Sequence, residues 1–233
     1  MSRYVQRCAG IDGCRTGWLV VEACSNLRDA NFRIAPNWNA IASDADVIAV
    51  DMPIGLSRNG VRQCEVAARK IISPYGSRVF KTLPRGTLKY AQKDWRIANQ
   101  WSKENGFGGI SKQIWAIRPK ILEIDRAISP GLQRRIHEAH PELAFTRLNK
   151  WTPLDSKHTA QGLAARKHLL QRAGFTNLDD WLQRLRGTGA KADDLLDSCV
   201  LVLTARNLLQ RRAKFAAEVV ERDSRGLRMA IAY

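Results

Sequence analysis

At 233 residues with 45% apolar side chains, the chain suits one large domain and is long enough to bury a sizeable core. Its 38 Lys and Arg against 22 Asp and Glu give a formal charge of +16. That balance predicts attraction to polyanions, nucleic acid first, although a basic surface also serves plain solubility. No run approaches the roughly 20 apolar residues of a membrane span and the N-terminus lacks an apolar signal core, so a cytoplasmic protein with no membrane partner is expected.

The five cysteines, at 8, 14, 24, 64 and 199, form no CxxC pair and lack the histidine spacing of a zinc site, which predicts free thiols. The first organised stretch, residues 9–23, has apolar runs flanking a glycine-punctuated centre and reads as a β-hairpin. Asp12 stands where its first strand ends. There it either bonds its own turn backbone or meets a metal ion or basic group, since a buried carboxylate is costly without a partner. Residues 30–34 suggest a third strand and 38–42 a short helical segment. Residues 46–56 hold the short continuous apolar run of a strand buried on both faces. Asp51 closes it, and Pro53 and Gly55 turn the chain out of the sheet, so Asp51 is expected at a strand's carboxyl edge.

Between 58 and 126 the character changes: fifteen Lys and Arg face five Asp and Glu. Helical patterns occupy 62–72, 88–104 and 112–128, with Pro119 expected to kink or divide the third. Lys81, Arg85, Lys89, Lys93 and Arg96 are candidate phosphate contacts, and the interleaved aromatics are candidate stacking platforms. Trp95 and Trp101, at helical spacing, fit a core role better.

Residues 132–139 suggest a further strand leading into Glu138-Ala139-His140-Pro141-Glu142, a cluster rich in possible ligands. Helices are expected over 160–173, ended by Gly174, and over 178–185. The last long helix begins near 190 and is almost wholly apolar after its first turns, so it is buried. Asp194 and Asp197, three apart, are expected on one face of it. Capping of the helix start is the competing account, sufficient for Asp193 and weaker for Asp197. A closing hairpin is expected around residues 223–226.

This order of elements predicts a mixed sheet with helices packed on it, Asp12 and Asp51 on adjacent strands, and the last helix bringing Asp194 and Asp197 over them. Carboxylates that close repel unless cations lie among them, and hard oxygen ligands suit Mg²⁺ or Mn²⁺. At this point a resemblance becomes recognisable. Gly10-Ile11-Asp12-Gly13 with Gly17-Trp18, the run Asp51-Met52-Pro53-Ile54-Gly55-Leu56, Ser77-Arg78-Val79-Phe80 and the stretch from Pro119 to Asp125 all contribute. So do the Glu138 to Glu142 cluster, Asp194-Leu195-Leu196-Asp197 and Arg225-Gly226-Leu227-Arg228-Met229. In order, these marks resemble the prokaryotic family described as predicted RNase H-like nucleases.

The resemblance implies an α/β fold of the ribonuclease H-like kind, a mixed sheet with flanking helices in a single domain spanning 1–233, with a basic, mainly helical insertion at about 57–130. The acid pattern is similar to that of Holliday-junction resolvases. On that likeness Asp12, Asp51, Asp194 and Asp197 match the metal-binding and catalytic positions. Glu138 and Glu142 have no secure counterpart in that pattern and are candidates for supporting ligands or substrate contacts, while His140 is either a proton shuttle or, beside Pro141, a structural residue. The expected activity is metal-dependent hydrolysis of phosphodiester bonds in DNA or RNA. Two alternatives stand beside it: a nucleotide-binding kinase or ATPase of the actin-like superfamily, and a nucleic-acid-binding module without catalysis. Against the kinase, the chain carries no second copy of the hairpin and no P-loop.

Overall fold

The computed structural model describes residues 5–233. Arg7–Cys14 (β1) and Gly17–Cys24 (β2) pair antiparallel out to Cys14 against Gly17, leaving Arg15 and Thr16 as the whole connection. Asn31–Ala35 (β3) adds antiparallel to the free side of β2. Val47–Val50 (β4), four buried apolar residues in a row, lies parallel to β1, and Ile136–Glu138 (β5) lies parallel to β4. The result is a five-stranded mixed sheet in the order β3-β2-β1-β4-β5, flanked by helices. The fifth strand is shorter than the sequence suggests. Residues 132–134 form a 3₁₀ turn instead, where the buried Gln133 side chain exchanges hydrogen bonds with the backbone of Arg228.

The helices are Gln63–Ile71 (α1), Trp95–Glu104 (α2), Lys112–Ala116 (α3), Arg118–Ala127 (α4), Pro141–Leu148 (α5), Ala160–Ala173 (α6), Leu178–Arg184 (α7) and Ala192–Leu209 (α8). The helix expected over 88–104 is divided. Arg85–Tyr90 is a 3₁₀ segment, and α2 starts only after Asp94, whose carboxylate accepts the Arg96 N–H at 2.6 Å. Pro119 marks the division between α3 and α4, sitting in the first turn of α4, where it removes no helical hydrogen bond. Glu221–Arg222 (β6) and Arg228–Met229 (β7) make the closing hairpin, with two residues on each side.

Side-chain alternation along the strands sorts two cores. Cys8, Leu19, Val21, Val47 and Ala49 face α8, with α5, α6 and α7 beyond it. Ala9, Ile11, Trp18, Val20, Ile48 and Val50 face the other way, onto Leu83, Ala98, Ile110, Ile114, Ile121 and Ile124. The basic segment therefore supplies the second helical layer of the sheet. Trp115 is buried in that layer and Trp95 packs partly buried against it. Residues 195–205 of α8 are buried throughout, which is why that helix shows no polar stripe. All five cysteines are buried and free. Among the described residues no helix is long and apolar enough to cross a membrane.

Candidate functional site

The parallel pairing of β1 with β4 ends at Ile11 opposite Val50, and the Asp51 N–H donates to the Ile11 carbonyl at 2.9 Å. Asp12 and Asp51 are thus each one residue beyond the last matched pair, at the carboxyl edge of neighbouring parallel strands. Period-two alternation puts both on the side of the sheet that α8 covers, with Cys8 and Ala49. Asp197 enters from α8. All three line one cavity of about 360 Å³, together with His140, Glu142 and Lys157.

Burial dominates their electrostatics. Asp12 and Asp197 are 7% and 1% exposed, while Asp51 is partly buried. Burial first, then the charges of Asp51 and Asp197, push the Asp12 carboxyl well above the ordinary carboxylate range. Burial likewise raises Asp51 and Asp197 to about 6, although the Lys157 ammonium pulls both down. One oxygen of Asp12 accepts the Gly13 N–H at 2.7 Å, so it bonds its own turn backbone, and the residue also lines the cavity. The Asp197 Oδ2 accepts from Lys157 Nζ at 2.5 Å, while its Oδ1 is buried with no hydrogen-bond partner.

Asp194 does not line the cavity with the others, although its charge acts on Asp12. It is the third residue of α8, and its carboxylate turns back to accept the Lys191 N–H at 2.8 Å. Asp193, four positions before Asp197, lies 3.6 Å from the same Lys157 Nζ but does not line the cavity either. Capping of the helix start falls to Asp194 rather than Asp193, because the helix begins at Ala192 rather than near 190.

Glu138 lines the cavity but is committed elsewhere. It forms an ion pair with the fully buried Arg62, which also bonds Glu65 at 2.9 Å, and it accepts the Ile54 N–H at 2.8 Å. Glu142 is clamped by Arg78 at 2.7 Å and Arg166 at 2.6 Å. These two arginines also bond the carbonyls of Leu154 and Asp155, both at 2.8 Å, which fixes the loop that carries Lys157. Gly162 completes that anchorage: a Cβ there would stand 2.1 Å from the Ser156 carbonyl oxygen. His140 precedes α5 and its Nδ1 accepts the Glu142 N–H at 3.3 Å, while burial lowers its pKa against the pull of Glu142 and Asp197.

None of the five proposed phosphate contacts lines this cavity. Lys93 and Arg96 are exposed, and Lys89 lies over the rings of Tyr90 and Trp101 at 5.0 and 4.7 Å. Lys81 donates to the Phe107 carbonyl at 2.6 Å. Arg85 is structural, paired with Asp125 at 3.0 Å and with Asp223. The cations that do line the cavity are Arg78, Lys120 and Lys157. Lys120 also bonds the Gly17 carbonyl, at 2.5 Å, and lies over the Trp18 ring. Arg78 and Lys120 fall within marks the sequence offered; Lys157, in a polar loop of no distinctive pattern, does not.

The model of the family described as "Protein of unknown function (DUF429)" matches residues 10–221. The chain belongs to the DUF429 family. The match takes in the acids and cations of the carboxyl-edge cavity of this DUF429 protein, from Asp12 through Lys157 to Asp197. No curated protein and no solved structure matches the chain.

Proposed function

We propose that this protein is a metal-dependent nuclease of ribonuclease H-like fold, hydrolysing phosphodiester bonds at the cavity where Asp12, Asp51 and Asp197 meet. The observation that carries the reading is this convergence of three carboxylates from β1, the end of β4 and α8, with the Asp197 Oδ1 buried and unpartnered. Ligands commonly bind outside the carboxyl ends of parallel strands, where these acids stand.

The donor set fits a hard divalent cation: oxygen ligands, mutual repulsion and a free carboxylate oxygen favour Mg²⁺ or Mn²⁺. Among the described residues no three His, Cys, Asp or Glu side chains are already gathered about one point, and the Lys157 ammonium holds the place of counter-charge. Asp12, Asp51 and Asp197 would hold the ion. When bound, it would supply an activated water and neutralise charge developing on the phosphate. Arg78 and Lys120 add positive charge to the wall of the same cavity, suited to an anionic substrate. Glu142, held by two arginines, braces the loop over the site, and His140 caps the start of α5 beside it through Nδ1. The exposed Lys89, Lys93 and Arg96 offer phosphate contacts away from the reacting centre.

Incubating the protein with labelled single-stranded, duplex and branched DNA and RNA, in Mg²⁺, Mn²⁺ or EDTA, tests the reading. Cleavage that needs the metal and disappears in Asp51→Asn is expected. Salt-sensitive binding without cleavage would instead assign a binding module.

A further inference from the structure

The carboxylates of this site are not left to repel one another. Lys157 Nζ is 2.5 Å from Asp197 and 3.6 Å from Asp193, and its charge also acts on Asp12 and Asp51. Its side chain keeps 29% exposure while that of Asp197 has 1%, so the ammonium reaches in from the more open side. The loop that bears it is held by Arg78, Arg166 and the close approach of Gly162, so a movement of the ammonium falls to the lysine's own side-chain torsions. A compact ammonium on four methylenes is suited to leave and return without moving the backbone.

From this geometry we infer that Lys157 is a resident counter-ion, and that it and a divalent cation exclude each other at Asp197. The inference rests on the metal-binding reading above and adds what regulates it. With Lys157 in place the fold is held together without metal; with Lys157 drawn aside, Asp197 presents two oxygens instead of one. The metal affinity of the site is therefore set by the lysine as well as by the acids.

The test is a calorimetric titration of Mn²⁺ into the parent, Lys157→Met, Lys157→Arg and Asp197→Asn, with melting temperature followed in parallel. Methionine keeps much of the stem and removes the charge. Lys157→Met is expected to bind Mn²⁺ at least tenfold more tightly than the parent, Lys157→Arg to stay near the parent, and Asp197→Asn to bind weakly. Without metal, Lys157→Met should melt below the parent, and saturating Mn²⁺ should restore it. If Lys157→Met is recovered folded only in Mn²⁺, then EDTA should unfold it while leaving the parent intact. Equal Mn²⁺ affinity in parent and Lys157→Met would overturn the inference and leave the metal site standing. Absence of Mn²⁺ binding by either protein would remove the metal reading itself, and the exclusion with it.

Discussion

Gly10 lies so close beneath α8 that a Cβ on it would stand 2.1 Å from the Ser198 carbonyl oxygen and 2.5 Å from the Val202 nitrogen. The contact is backbone to backbone, so no side chain can yield. Gly10 is two residues before Asp12 and Ser198 directly follows Asp197, so the approach that packs helix on strand also sets the distance between the two acids. Gly10→Ala should force α8 off the sheet and cost about 3 kcal/mol or more, a backbone clash exceeding ordinary overpacking. Urea unfolding measures it; a loss below about 1 kcal/mol would show that α8 can shift, and that the spacing of Asp12 and Asp197 is not fixed by this contact.

The raised carboxyls carry a definite sign. Asp51 titrates near 6 in the folded protein, above its ordinary value, so the folded state binds more protons through that interval. Its contribution to stability is present below about 4 and is lost as pH rises through about 6. Asp51→Asn, which keeps the shape and removes the charge, should therefore match the metal-free parent near pH 4 and be more stable at pH 7.5, by roughly 1 to 3 kcal/mol. Mg²⁺ or Mn²⁺ should raise the melting temperature of the parent and not of the variant. Melting curves at the two pH values decide this, and parallel behaviour of parent and variant would count against a strained acidic site.

Asp223 has the opposite sign. Although burial raises it, the N–H groups of Leu56, Arg225 and Leu227 together with Arg85 hold its carboxyl below the ordinary range. Its contribution is present above about 4 and is lost as pH falls through its lowered value. Asp223→Asn should cost about 2 to 4 kcal/mol at pH 7, because it weakens four donors at once and leaves Arg85 with Asp125 alone. The difference from the parent should shrink as pH drops below 4, which acid-dependent unfolding would show; a constant difference would mean that shape rather than charge holds the hairpin to Leu56.

The basic surface separates into exposed and committed cations. Changing Lys89, Lys93 and Arg96 together to Ala should lower the salt dependence of duplex DNA binding by up to about three contacts, each worth roughly 0.9 in the log–log slope. Arg85→Ala should mainly reduce stability, since that side chain ties Asp125 to Asp223. Fluorescence anisotropy over a salt series separates the two. An unaltered slope in the triple variant would move the binding surface elsewhere, toward Arg78 and Lys120.

Several features were legible in the sequence because they rest on local rules. The hairpin followed from apolar runs about Gly13 and Gly17, α6 from its periodicity and the glycine after it, the burial of α8 from its unbroken apolar run, and the edge position of Asp51 from the Pro and Gly that follow. Only the tertiary structure decided which acids meet. A start of α8 at Ala192 rather than near 190 turns Asp194 into a cap and leaves Asp193 beside Lys157, and helix starts are fixed by capping geometry that a pattern locates only approximately. Arg85, Lys81 and Glu138 read as free functional groups in sequence, yet their partners lie far along the chain, at Asp223, Phe107 and Arg62. Lys157 is 40 positions from Asp197 in an unremarkable loop, and no local pattern signals a contact made by two segments packing against the same sheet edge. Burial and charge pairing are properties of the folded packing, so the sequence supplied the acids and the fold chose their counter-charge.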